Sequence, residues 1–288
     1  MTSRFARAWR RIPADLRAII AGVAVIGAGT VPWGILVAIN VQVLPTIPWT
    51  AGIMIAYLVV YARYLNGWGW PSELGPDRRT SFRVSRPSPT LWRWSLIAGG
   101  FSAVSFRFLG DVVRRLSPRP EQDLVPPEVL DKVPFATILT LLLMTSLVAG
   151  FAEEAGARGF MQAPLERRYG PIIAIGIVAV VFTLMHFRFG VPDPWPWLLF
   201  APLYVLASVI WGILAWRTGS ILPGAIWHGL FDAAGVLRYW WGGIPKSVHE
   251  VGYDTPFRVE AALALIFAIP SIWAFRTLLR LPAEKGPA

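Results

Sequence analysis

The chain of 288 residues is 55% hydrophobic, carries 15 Trp and is only 15% charged, against about 25% charge in ordinary soluble domains. Its net charge of +10 sits in basic residues clustered between apolar runs, the footprint of membrane orientation rather than of nucleic-acid binding. The absence of cysteine excludes disulfides, thiolate metal sites and a cysteine nucleophile.

Apolar stretches of about 20 residues recur along the whole length, which a water-soluble core cannot hide. The fold class is therefore all-α, a polytopic membrane protein of about eight transmembrane helices. The basic start MTSRFARAWRRIPADLR leads into an apolar stretch from Leu16 to Leu44. That is longer than the apolar region of a signal peptide, so a retained first membrane helix is expected. The spans are predicted at roughly 17–39, 48–66, 91–109, 135–156, 171–187, 197–216, 220–238 and 258–278, each near the length that crosses about 30 Å of hydrocarbon.

Loop charges give the orientation. Arg4, Arg7, Arg10 and Arg11 precede the first span, while the loop from Asn40 to Trp49 has no charge. Arg78, Arg79, Arg83 and Arg86 follow the second span, Arg167 and Arg168 the fourth, Arg217 the sixth, and Arg276, Arg280 and Lys285 the eighth. The loop after the third span mixes Arg114, Arg115 and Arg119 with acids and opposes the pattern. On balance both termini are expected in the cytoplasm. Leu116 to Val133, rich in Pro and acids, reads as an extramembrane loop with a short helix. No repeat or second domain is evident. Residues 1–134 form an N-terminal part of three spans and a loop, 135–240 a core that holds the unusual polar residues, and 241–288 a loop and the last span.

Ionisable residues within a membrane are costly and mark function by default. Glu153, Glu154 and Arg158 lie in FAEEAGARGF, His186 in VFTLMHF, and His228 and Asp232 in WHGLFD. Glu154 and Arg158 are four apart with the acid first, the favourable order for an ion pair on one helix face. Glu153 is rotated about 100° away and stays free for proton chemistry. His228 and Asp232 share the same spacing, so Asp232 could orient that imidazole. Around the turn Arg168-Tyr169-Gly170-Pro171, Glu153 lies about 16 residues before the midpoint and His186 about 16 after, a common depth of roughly 25 Å. His249 is followed by Glu250, but Val251-Gly252-Tyr253 breaks the H-E-x-x-H zinc pattern. Each element alone has a plainer use: a packing or snorkelling pair, an interfacial histidine, a structural hydrogen bond, and Phe182 as core. Two acids and two histidines converging inside apolar helices shift the balance toward chemistry.

The motifs E-E-x-x-x-R (Glu153 to Arg158), F-x-x-x-H (Phe182 to His186) and H-x-x-x-[N/D] (His228 to Asp232) resemble, in order and spacing, the CPBP family of CAAX proteases and bacteriocin-processing enzymes, also called the Abi family. QAPLERRYGP and RTGSILPGAIWHGLFD have the same look, and the resemblance spans residues 135 to 240. It implies an intramembrane endopeptidase of eight core helices with an active-site cavity below the membrane surface. Eukaryotic relatives remove the C-terminal tripeptide of prenylated CAAX proteins, while bacterial ones are linked to peptide processing or bacteriocin immunity. By that likeness Glu153 with His186 activates a water and His228 with residue 232 stabilises the oxyanion; Glu153, Glu154, His186, His228 and Asp232 are the expected catalytic residues, with Arg158 and Phe182 as structural support. Many members have Asn where this chain has Asp232, and an ionised Asp cannot donate to an oxyanion. Alternatively Glu153 or Glu154, His186, His228 and Asp232 could ligate a divalent metal such as zinc. The expected partners are a peptide or membrane-protein substrate and the lipid bilayer, with no nucleic acid. Two rival readings remain: a catalytically silent scaffold or immunity protein of the same fold, and a proton-coupled small-solute transporter.

Overall fold

The computed structural model describes residues 4–117, 129, 132–187, 195–242 and 245–282. The expected loop at 116–133 lies almost entirely outside the described residues. The helices run α1 (Arg4–Arg11), α2 (Ala14–Val43), α3 (Trp49–Leu65), α4 (Gly75–Phe82), α5 (Pro89–Arg115), α6 (Phe135–Tyr169), α7 (Pro171–Met185), α8 (Trp195–Thr218), α9 (Leu222–Gly242), α10 (Val248–Val251) and α11 (Thr255–Arg280). Among the described residues there is no strand. A helix satisfies its own backbone polar groups, so it is the form apolar segments take in lipid.

Eight of these helices occupy the eight predicted spans. Five of them, α2, α5, α6, α8 and α11, are long and apolar enough by themselves to cross a membrane; α3 and α7 are shorter. Exposed Ile53, Ile55, Val59 and Val60 on α3, with Leu265, Ile266, Ile269 and Trp273 on α11, form outward apolar faces that water would not tolerate. The chain is an integral membrane protein.

The fourth span is longer than the sequence suggests. Its predicted end at 156 is passed without a break, and α6 continues to Tyr169 as a 35-residue helix, roughly 52 Å long. From Ala155 to Gln162 the backbone widens into π-helical turns whose every residue is buried. The charges that lower hydropathy there are neutralised inside the bundle, so they do not end the helix. α6 then reverses into α7 through Gly170, whose φ of +78° is the left-handed geometry that glycine adopts without strain.

Cross-contacts define two ends of the bundle. At one end Phe135 stacks near Trp240 with centroids 4.8 Å apart, Thr137 bonds the carbonyl of Thr46, and Ser247 bonds the carbonyls of Arg115 and Ser117. At the other, Arg83 pairs with Glu166, Arg168 with Asp15, and Ser85 with the carbonyl of Gly219. α5 and α11 pack through Ala98, Ala103, Ala274 and Leu278, with Ser102 and Ser271 hydroxyls 2.7 Å apart between them.

α6 is held where glycines let backbones touch. A Cβ on Gly156 would lie 2.5 Å from the Gly22 carbonyl oxygen of α2, and one on Gly150 would lie 2.6 Å from the Gly229 nitrogen of α9. Small residues at such crossings are the usual way membrane helices gain dispersion contact. These two crossings set the height of α6 against α2 and α9, and so decide what its paired glutamates meet.

Candidate active site

Arg158 and Glu154 are both wholly buried, with Arg158 Nη1 3.0 Å from Glu154 Oε1. Arg158 Nη2 donates to the Ser208 carbonyl of α8 at 3.3 Å, and its guanidinium lies 4.8 Å from the Phe182 ring centroid. One turn on, Gln162 Nε2 donates to the Gly212 carbonyl at 2.9 Å and to Glu166 at 2.7 Å. This polar ladder ties α6 to α8 inside the apolar core. A buried charge left without its partner costs about 3–5 kcal/mol, so the pair is kept as a pair.

Glu154 has a second partner that its own helix does not disclose. His228 Nδ1 lies 3.0 Å from Glu154 Oε1. The Glu154 oxygen in contact with Arg158 accepts, so Nδ1 is the donor. Gly224, one turn before His228, makes the room: a Cβ there would sit 2.7 Å from Glu154 Oε2. The other face of the imidazole looks at two more acids, with Nε2 3.6 Å from Asp232 Oδ2 and 3.8 Å from Glu153 Oε2. These are charge contacts rather than hydrogen bonds. Two carboxyl oxygens thus approach Nε2 from one side.

His186 is held quite differently. It caps α7, and its Nδ1 lies 2.8 Å from the Phe182 carbonyl oxygen. A carbonyl only accepts, so Nδ1 carries the hydrogen and Nε2 is left as the lone-pair nitrogen. The ring is sandwiched between Phe182, at 4.5 Å, and Tyr204 of α8, at 4.3 Å between centroids. Among the described residues no carboxylate lies within ion-pair distance of His186.

Glu153, His186, His228 and Asp232 nevertheless line one cavity of about 120 Å³, walled by Phe106, Phe182, Trp211 and Phe231. That is room for several waters. Among the described residues nothing hydrogen-bonds to Glu153 Oε2, so one acid faces the space with an open acceptor. The matched depth of Glu153 and His186 thus ends in a shared cavity without direct contact, and His228 is the histidine nearer Glu153. His249 lies apart, exposed in α10.

Residues 135–234 match the family described as type II CAAX prenyl endopeptidase Rce1-like. This segment is similar to that family. The matched segment holds every residue just placed around the cavity except Phe106 of α5, which closes the wall from outside it. No curated protein matches the chain, and no solved structure does.

The donor set around the cavity is also the one the sequence offers as a metal cage. Among the described residues no group of three or more His, Asp or Glu is arranged to hold an ion. Glu154 is taken up by Arg158 and His228, while the His186 ring stands apart from the carboxylates. The side chains as placed do not form a zinc site.

Sequence reasoning found the two acids, Arg158 and both histidines, but not Gly224, Ser208, Gln162, Tyr204 or Trp211. Gln162 carried a signal, being four residues beyond Arg158 on the same face. The others depend on which helices cross, which spacing along one helix does not encode.

Proposed function

We propose that the protein is an intramembrane endopeptidase of the CAAX-protease and bacteriocin-processing type, hydrolysing a peptide bond with water activated by Glu153 and His186. The observation that carries this reading is one apolar-walled cavity faced by Glu153, His186, His228 and Asp232 together. The open oxygen of Glu153 and the lone-pair Nε2 of His186 hold a water from two sides. As the water attacks the scissile carbonyl, Glu153 takes its proton and later returns it to the leaving amine. Proton transfer by a positioned base contributes about 10²–10⁴ in rate. The oxygen that becomes negative is met by His228 Nε2–H, and an oxyanion donor of this kind is worth about 10²–10³. Glu154, fixed by Arg158, supports the imidazolium from Nδ1.

Asp232 takes the part of a charge partner that keeps the proton on His228 Nε2. Substrates are peptides or membrane proteins reaching the cavity through the bilayer, with no nucleic acid involved. The basic loops favour both termini in the cytoplasm. Residues 135–240 form the catalytic core, flanked by 1–134 and 241–288.

The test uses the purified full chain and its Glu153→Gln variant in liposomes with a library of membrane-segment peptides, read by mass spectrometry. Cleavage by the wild type alone is the expected result. Equal cleavage by both would show that Glu153 is not the base. No cleavage by either, with biological effect kept in the variant, would favour the silent scaffold.

A further inference from the structure

The mechanism makes no use of α1, yet this short helix is the most densely charged element of the fold. Arg4, Arg7, Arg10 and Arg11 fall within RFARAWRR without an acid among them. At 100° per residue Arg4, Arg7 and Arg11 lie within about 60° of one another, and all three are exposed. The other side turns to the protein, with Ala6 wholly buried and Trp9 half-buried. Among the described residues no ion pair forms at Arg4, Arg10 or Arg11. Asp15, the first acid of the sequence, is already taken. It lies 3.1 Å from Arg168 Nη1 and accepts from the Tyr169 hydroxyl at 2.6 Å.

The fold also fixes the height of α1. Pro13 has no N–H to continue it, and α2 starts afresh at Ala14. Across this break Arg17 Nη1 donates to the Arg10 carbonyl at 3.5 Å, which keeps the last turn of α1 beside the first turn of α2. There Leu16 and Ile20 are exposed and mark where the apolar surface of the span begins. A basic helix tied to the rim of a span meets the charged layer of the bilayer first. We propose that α1 lies on the bilayer surface and binds the phosphates of anionic lipids through Arg4, Arg7 and Arg11. Guanidinium and phosphate form paired, charge-assisted hydrogen bonds, and a cluster of basic residues beside a membrane helix gains from a net negative leaflet. A zwitterionic headgroup also carries phosphate, but its own ammonium cancels the charge, so the surface selects anionic lipid.

The chain has no cysteine, so Ala8→Cys, exposed on the arginine side of α1, takes a single fluorescent label. The labelled full chain is placed in phosphatidylcholine vesicles containing a little spin-labelled quencher lipid, either phosphatidylglycerol or phosphatidylcholine. At low salt the phosphatidylglycerol quencher should associate at least about tenfold more strongly, since each arginine near an anionic surface is worth about fivefold. The preference should fade toward about 1 M salt. Arg4→Gln/Arg7→Gln/Arg11→Gln should bring the two quenchers to near equality, and the matching lysine variant should keep part of the preference. Arg86→Gln/Arg276→Gln/Arg280→Gln removes as much charge from exposed positions at the same end of the bundle and should leave the preference within about twofold. Equal quenching in the wild type would overturn the proposal. Equal losses in the two charge-matched variants would also overturn it, by showing a diffuse field rather than a site on α1. A preference abolished by inorganic phosphate or by polyglutamate, each at matched anion concentration, would assign the arginines to a soluble anion or an acidic protein and overturn it as well. The measurement needs no substrate, so its result stands apart from the protease reading.

Discussion

The two imidazoles that face the cavity are held in opposite surroundings. His228 sits among acids, bonded to Glu154 and approached by Asp232 and Glu153. His186 sits among rings, stacked between Phe182 and Tyr204, with only a backbone carbonyl on Nδ1. The proposed mechanism gives the same residue type two tasks. Carboxylates near both nitrogens suit a donor. A carbonyl on one nitrogen with apolar faces leaves the other as an acceptor. In the proposed mechanism an acceptor in the same cavity as Glu153 suits the water, and a donor there suits the oxygen that gains charge.

The largest expected effect breaks the acceptor side. Glu153→Gln keeps the shape but cannot take a proton, and cleavage should fall by at least about 10³, with an unchanged elution profile on size-exclusion chromatography. Near-wild-type turnover would mean that the water is activated elsewhere.

Breaking the support of the donor side should cost stability first. Arg158→Ala leaves Glu154 buried without its cation, for a loss of about 3–5 kcal/mol. Lower yield and a lower thermal midpoint in detergent are the readouts. If the variant is as stable as wild type, the pair is not the anchor of His228 described above.

Asp232→Asn separates a charge partner from a metal ligand. Without metal it should retain activity within about tenfold, or roughly 1.4 kcal/mol of barrier, since the amide can still face His228 Nε2. Stoichiometric zinc in the wild type, lost in this variant together with activity and partly restored by added zinc, would replace the donor role with a ligand role.

The smallest effect concerns the ring sandwich. Tyr204→Leu removes a stacked partner of His186 and should cost about 0.5–1.5 kcal/mol, read as a several-fold drop in turnover. Tyr204→Phe keeps the stack and should restore most of it. An equal loss in both would move the importance from the ring to the hydroxyl.

This contrast was only half legible in the sequence. Eight apolar segments could be placed because hydropathy is a local property, and the Glu154–Arg158 pair because four residues make one helical turn. The end of the fourth span was misplaced because Glu153, Glu154 and Arg158 lower local hydropathy, although inside the bundle Glu154 and Arg158 are paired and the helix runs on to Tyr169. That Glu154 rather than Asp232 makes the hydrogen bond to His228 follows from the crossing at Gly150 and Gly229 and from the space beside Gly224. Those glycines have no pattern that reveals which helix they meet. The environment of His186 was hidden for the same reason, since Tyr204 belongs to another helix.

The chain has three histidines, so nitrogen NMR of histidine-labelled protein in lipid, assigned with His186→Gln, His228→Gln and His249→Gln, tests the division of labour directly. His186 should show one protonated nitrogen, Nδ1, and one bare nitrogen, Nε2, while His228 shows both nitrogens protonated at neutral pH. A bare Nε2 on His228, or a doubly protonated His186, would contradict the assignment of donor and acceptor on which the proposed mechanism stands.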